Sequence, residues 1–333
     1  MLLQRRVFCG LAAAIAAARN TARPAQAQPA LPWLPNRPVT LVVPFAAGGT
    51  TDAMARLIAG PLSQRFGQPV VVENATGASG NIGAARVARA AADGHTALLG
   101  HVGLFAINQH LFRTMPFNAA QDFAPVGLLC TNPMALLVSA RSGIPDLPAL
   151  VARARARNLK IATSGNGSTL HVGALQFLAA TGGDADLVPY RGGAPAVNDL
   201  LAGVVDMLVE QAVSAIPNQQ GGLARAFLVT GSQRLPAMPD VPTAAEAGLP
   251  SMDFEVWNGI VLPRGAAPEV VAAWSSALAA ALADSDVRGR LEQFSARLPG
   301  PAEQTPEHLR QLILRDGEKW GRLLREKGVQ AGD

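Results

Sequence analysis

A pattern that occurs twice constrains this chain more than any other feature: an apolar run, a glycine-rich turn and a helical segment, followed at once by a second run, turn and segment. First, Val39 to Phe45 is a continuous apolar run and Ala46-Ala47-Gly48-Gly49 a turn. Thr50 to Phe66 then carries Met54, Leu57, Ile58, Leu62 and Phe66 on one helical face. Val70 to Glu73 is the next strand, Asn74 to Asn81 a second turn leading into a helix through Ala92, and Thr96 to Leu99 a third strand. The order returns with Lys160 to Thr163, the turn Ser164-Gly165-Asn166-Gly167 and a helix from Ser168 to Ala180. Leu187 to Tyr190, Arg191-Gly192-Gly193, a helix from Pro195 to Ala202 and Val205 to Val209 complete it. Gly49 and Gly77 are 28 residues apart, and Gly165 and Gly192 are 27 apart.

Strands that alternate with helices and are apolar along their length predict parallel sheets covered on both faces. The expected fold class is α/β, with two doubly wound lobes and a ligand cleft between them. A strand at Phe123 to Leu129 leads to a passage near Thr131-Asn132-Pro133, and a return near Leu249-Pro250-Ser251 precedes a strand at Phe254 to Leu262. These passages assign residues 28–131 and 251–333 to lobe 1 and residues 132–250 to lobe 2. Helices at Pro268 to Ala283 and Pro306 to Lys327 are expected to complete lobe 1. Two connecting strands make a hinge.

Residues 1–27 read as an export signal: Arg5-Arg6 as the basic start, Val7 to Ala18 as a short apolar stretch, and Ala25-Gln26-Ala27 as the cleavage site. Arg5-Arg6-Val7-Phe8 also fits a twin-arginine signal, so either export route is open. This leader holds four of the 28 basic residues and none of the 24 acidic ones, which leaves 24 of each sign beyond it. A balanced chain lacks the electrostatic footprint of nucleic-acid binding. Cys130 is the only thiol past the leader, which excludes an internal disulfide. His95, His101, His110 and His308 lack metal-ligand spacing, and neither a metal nor a cofactor is expected.

In an open α/β sheet, ligands lie where strands end and helices begin. There the first N–H groups of the helix are unpaired, and the positive end of its dipole favours an anion. The turns at Phe45 to Asp52 and Ser164 to Thr169 contain no Lys or Arg. An anion in them is held by backbone amides and by hydroxyls from Thr50, Thr51, Ser164, Ser168 and Thr169. Asp52 either stabilises its helix or touches ligand, and Arg191 either meets a second carboxylate or pairs with a surface acid. No phosphate-binding G-x-x-x-x-G-K-[ST] loop and no G-x-S-x-G elbow occur. Gly77 to Gly83 has the wrong spacing for a dinucleotide fingerprint, and Gly165 to Leu170 lacks its third glycine.

Several segments in this order resemble the periplasmic substrate-binding proteins of tripartite tricarboxylate transporters, the Bug family. They are Val42 to Asp52, Val70 to Asn74 with Gly77 to Gly83, Ala92 to Thr96, Gly165 to Ser168, Val188 to Pro195, Pro239 to Thr243 and Trp257-Asn258-Gly259. The resemblance implies a periplasmic-binding-protein-like fold and a monomer that captures a small carboxylate and delivers it to inner-membrane transporter subunits, without chemistry on the solute. It places the ligand against Phe45, Ala46, Ala47, Gly48, Gly49, Thr50 and Asp52 in one lobe and Ser164, Gly165, Asn166, Gly167, Ser168 and Thr169 in the other. Asn74, Gly80, Asn81, His101, Tyr190, Arg191 and Gly192 would read the rest of the solute. Glu210-Gln211 departs from the family pattern, in which an Asp often follows the strand, and so does His101-Val102, where small hydroxyl residues are common. An exported small-molecule enzyme or a periplasmic sensing module using the same cleft are the alternatives.

Overall fold

The computed structural model describes residues 33–293 and 295–326; the expected leader at 1–27 lies outside the described residues. The first repeat gives β1 (Val39–Val43), α1 (Thr50–Phe66), β2 (Val70–Asn74), α2 (Asn81–Ala88) and β3 (Thr96–His101). A wide, π-helical turn at Gly103–Ile107 runs into α3 (Asn108–Leu111), and β4 (Phe123–Ser139) and α4 (Leu147–Arg155) follow. The second repeat is β5 (Lys160–Thr163), α5 (Thr169–Thr181), β6 (Asp186–Pro189), α6 (Gly193–Ala202) and β7 (Met207–Gln211). Then come α7 (Ala212–Gln220), β8 (Ala224–Val229), β9 (Glu255–Pro263), α8 (Pro268–Ala283), α9 (Ser285–Gln293) and α10 (Pro306–Glu326).

The repeat is visible in the sheets. β1 pairs in parallel with β2 and β3, giving the order β2-β1-β3; β5 pairs in parallel with β6 and β7, giving β6-β5-β7. Beyond β3 lies β9 and then the first part of β4, both antiparallel to their neighbours. Beyond β7 lies the second part of β4 and then β8, again antiparallel. The two sheets therefore repeat one five-strand order and share β4, whose 17 residues serve both. The expected all-parallel arrangement holds only for the outer three strands of each sheet. The chain enters and leaves each repeat along strands that run back beside it, and these must pair antiparallel. The passage expected at residues 131–133 is itself strand: Pro133 still pairs with Glu255 of β9, and Met134 already pairs with Gln211 of β7.

Burial follows the pleat. In β1, Val39, Leu41 and Val43 join the core under α1 and α8, while Val42 joins the core on the other face. In β4, Met134, Leu136 and Val138 face one way and Ala135 and Leu137 the other. Met54, Ile58, Leu62 and Phe66 bury one stripe of α1, and Gly67, at φ +66°, ends that helix by accepting the left-handed conformation. Trp274 of α8 is fully buried and donates its indole N–H to the Gly94 carbonyl at 3.0 Å.

Candidate functional site

Because β1, β2 and β3 are parallel, their following turns emerge at one edge, and the turns after β5, β6 and β7 do the same in the other sheet. After β1, the backbone rises through Ala46 to Gly49, all exposed, with Gly48 at φ +81°. The Gly48 N–H donates to Asp52 Oδ2 at 2.9 Å, Arg56 Nε donates to the same oxygen at 3.0 Å, and Asn74 Nδ2 donates to Oδ1 at 3.0 Å. Burial pulls the Asp52 carboxyl upward, but the bonds from Arg56, Gly48 and Asn74 outweigh it and hold the group below its ordinary value. Asp52 is thus the internal frame of the turn, and Asn74, which also donates to the Phe45 carbonyl at 3.0 Å, belongs to that frame. Gly49 is extended at φ −77°. The first helical residues, Thr50 and Thr51, have N–H groups that no carbonyl of α1 can reach.

After β2, four successive residues have positive φ: Gly77 at 127°, Ala78 at 45°, Ser79 at 53° and Gly80 at 92°. For Ala78 and Ser79 this left-handed backbone costs roughly 1–2 kcal/mol per residue. A Cβ on Gly80 would lie 3.2 Å from the Phe45 ring, so the turn packs backbone against Phe45. After β3, His101 stacks on Phe45 with centroids 4.5 Å apart and 12° between planes. Its Nδ1 accepts the Gly103 N–H at 3.0 Å, so the neutral ring carries its hydrogen on Nε2. Burial lowers its pKa to about 4. Asn81 is buried, and its Oδ1 accepts from Asn108 Nδ2 at 2.7 Å.

The second repeat builds its turn in the same way. Gly165 and Gly167 have φ +95° and +77°. Ser168 Oγ caps α5 by accepting the His171 N–H at 3.2 Å, leaving the Thr169 and Leu170 amides without a partner in the helix. His171 Nδ1 accepts the Gly167 N–H at 3.1 Å, and burial lowers that imidazole to about 4 as well. Tyr190 N–H donates to the Thr163 carbonyl at 2.8 Å, which sets the Tyr190–Gly192 turn beside Ser164, and Tyr190 OH donates to Asp199 at 2.7 Å. Arg191 is exposed and pairs with no acid among the described residues. At the end of β7, Glu210 is 4% exposed, and burial pushes its carboxyl up to about 7 against the Gln211 N–H it accepts at 2.8 Å.

The two sets of turns touch. Ser79 Oγ donates to the Asn166 carbonyl at 2.5 Å. A Cβ on Gly167 would lie 2.2 Å from Asn108 Oδ1, and one on Gly103 would lie 2.9 Å from the Gly167 carbonyl oxygen. The structure thus brings together the turns at 45–52, 77–81, 101–103 and 165–168. The side chains of Asp52, Asn74 and Asn81 are engaged in holding these turns.

The chain matches the tripartite tricarboxylate transporter family receptor over residues 54–329. It belongs to that family. A solved structure of MatC from Rhodopseudomonas palustris with bound malate is 38% identical, with TM-score 0.83, covering 87% of this chain and 100% of its own. The periplasmic binding protein BugD is 34% identical, with TM-score 0.84, covering 90% and 100%. Rpa4515 of R. palustris, solved with adipate, is 35% identical, with TM-score 0.84, covering 90% and 99%. The fold is therefore that of a Bug-family periplasmic binding protein, as the twofold repeat and the matched segments predict.

Of the other residues that shape the site, Ser79 and Gly103 fall in the stretches around Asn74 to Asn81 and His101 to Leu104 where the resemblance places the solute, His171 reads from the sequence as packing or solvent, and sequence reasoning missed Asn108. The flanking Gly77 and Gly80 mark the Ser79 turn as unusual, but nothing local marks Asn108, whose relevance comes from a contact made across the cleft. Trp257, within a family segment, is a core residue: it donates to Asp316 of α10 at 2.7 Å, and both are buried.

Proposed function

We propose that this receptor captures a small carboxylate by closing two lobes, residues 28–131 with 251–333 and residues 132–250, and presents it to a tripartite tricarboxylate-type membrane transporter. The observation that carries the proposal is the contact of the Gly165–Gly167 turn with Ser79, Gly103 and Asn108 beside Phe45 of the first turn, which sets the unpaired first N–H groups of α1 and α5 at the two facing walls, with no Lys or Arg within either turn. Such a pair suits a carboxylate, whose charge several amides share. The ligand then binds the closed state better than the open one, because only there does it touch both turns. Malate in MatC and adipate in Rpa4515 support a carboxylated guest with two acidic ends. Arg191, without an acid partner among the described residues, is the cation for the distal end. His101 offers Nε2–H to the solute from a ring fixed by Phe45 and Gly103. Ala46 to Thr50 and Ser164 to Thr169 provide the grip, and Tyr190 and Gly192 line the rim.

Export by the leader places the chain in the periplasm, where it acts as a monomer and performs no reaction on its solute. A thermal-shift screen against mono-, di- and tricarboxylates, with amines and sugars as controls, tests this. A ligand at ~100 times its dissociation constant adds roughly 2.7 kcal/mol of stability. The proposal fails if no carboxylate raises the midpoint, or if the best ligand is recovered chemically changed after incubation.

A further inference from the structure

The peptide between Asn166 and Gly167 is pinned at both ends. Its N–H donates to His171 Nδ1 at 3.1 Å, within the second repeat. Its carbonyl accepts from Ser79 Oγ at 2.5 Å, and Ser79 belongs to the first repeat, 87 residues away in sequence. The orientation of the carboxylate-facing turn is thus completed by a residue from the opposite wall. Ser79 reaches that carbonyl from a left-handed backbone at φ 53°, with Asn108 Nδ2 donating to the Ser79 carbonyl at 3.1 Å from below. Asn108 Oδ1, buried and unpartnered, sits against Gly167 in the same contact.

We propose that Ser79 is a positioning residue that latches the closed cleft through the Asn166 carbonyl, so that the closed state is populated without ligand. Ser79 acts on the turn that holds the solute. The inference rests on lobe closure as the mode of capture. The bond exists only where the two walls meet, and it joins no group whose charge depends on the solute. Without ligand, closure is held by this hydroxyl together with the Gly103 and Asn108 contacts on Gly167.

The test uses the ligand-free protein with spin labels at Val71→Cys and Val204→Cys, one on each lobe and both exposed. Cys130 is fully buried, so it escapes labelling, and Cys9→Ser in the background removes the other thiol. Distance distributions by double electron–electron resonance are compared for Ser79, Ser79→Ala and Ser79→Gly. Ala keeps the left-handed strain and loses the hydroxyl; Gly loses both and folds without strain at that φ. The expected result is a short-distance population in the parent that falls about fivefold relative to the long one in both variants, the loss of one net hydrogen bond. Equal populations in all three proteins overturn the latch. Loss with Ala and recovery with Gly also overturn it, because backbone strain and not the hydroxyl would then set closure. A single unchanging distance in every protein, with or without the carboxylates of the screen, refutes lobe closure itself and is thereby told apart from failure of the latch alone.

Discussion

Gly165→Ala and Gly167→Ala separate backbone strain from closure. Both residues have left-handed φ, +95° and +77°. A side chain at either place costs roughly 1–2 kcal/mol in the folded state. In a chain of this size that lowers the thermal midpoint by about 1.5–3 °C, and the fall should be similar for both variants. The space around them differs. A Cβ at Gly165 meets only Ser79 Oγ, at 3.8 Å, whereas one at Gly167 lies 2.2 Å from Asn108 Oδ1 and 3.2 Å from its Cγ. Asn108 lies on the opposite wall, so the clash exists only when the cleft is shut, and relieving it opens the walls by about 1 Å. An opening of that size breaks the Ser79–Asn166 bond and the Gly103–Gly167 contact. Losing one hydrogen bond and its neighbouring packing reduces the competent fraction about tenfold or more, and apparent affinity falls in proportion. Isothermal titration with the strongest carboxylate from the screen, beside thermal melts of both variants, gives the answer. If Gly167→Ala binds as tightly as Gly165→Ala while melting at the same temperature, the walls do not meet as described.

Three further outcomes follow from the same geometry. Asp52→Ala should lose about 1–3 kcal/mol in chemical denaturation, because the Gly48 amide, Asn74 and Arg56 lose their acceptor; a change below 0.5 kcal/mol, about the size of an ordinary surface substitution, would contradict its role as frame. Glu210 has a folded pKa of about 7 against an ordinary 4.5, so its contribution is complete below the unfolded value and is lost as pH rises through 7. Glu210→Gln should therefore stabilise the protein at pH 8, by at most ~3 kcal/mol, relative to its effect at pH 4; equal effects at both pH values would show that the carboxyl is not strained by burial. His101 and His171 are depressed to about 4 from 6.5, so the unfolded state takes up their protons first and stability falls as pH drops from 6.5 toward 4; His171→Gln should flatten that decline in urea titrations, and an unchanged slope would argue against a buried neutral ring.

Helix α1 was legible to the residue: Thr50 and Phe66 bound it because Gly48-Gly49 opens the turn before it and Gly67 can adopt φ +66° after it. Strand β5 was equally clear, a short apolar run closed by Ser164-Gly165. Local signals of this kind also gave the glycine turns and their spacing. What stayed hidden depends on partners distant in sequence. β4 looked like a strand followed by a linker because Asn132-Pro133 is a strong local break signal, yet Asn132 pairs with Val256 and Pro133 with Glu255. Proline is tolerated there because it lies where β4 leaves β9 for β7. Helix α2 stops at Ala88, short of the expected Ala92, because the backbone turns there toward Asp93, which accepts the His95 N–H at 3.0 Å, and β3. The pairing of Ser79 with Asn166 could not be foreseen, since Ser rarely adopts the backbone it holds here.

The strand common to both sheets also limits how the protein can change in length. From Met134 to Val138 the side chains of β4 alternate between opposite cores, whereas the half of β4 paired with β9 shifts register between Pro125 and Gly127 and between Leu128 and Cys130. Inserting or deleting a single residue just after Pro133 would turn Met134, Leu136 and Val138 into the places of Ala135 and Leu137 and invert the inward positions of this half of β4. The joint between the lobes, where a flexible linker would absorb indels freely, should reject a single-residue change between Pro133 and Val138 and tolerate one only where β4 already bulges, near Val126 or Leu129.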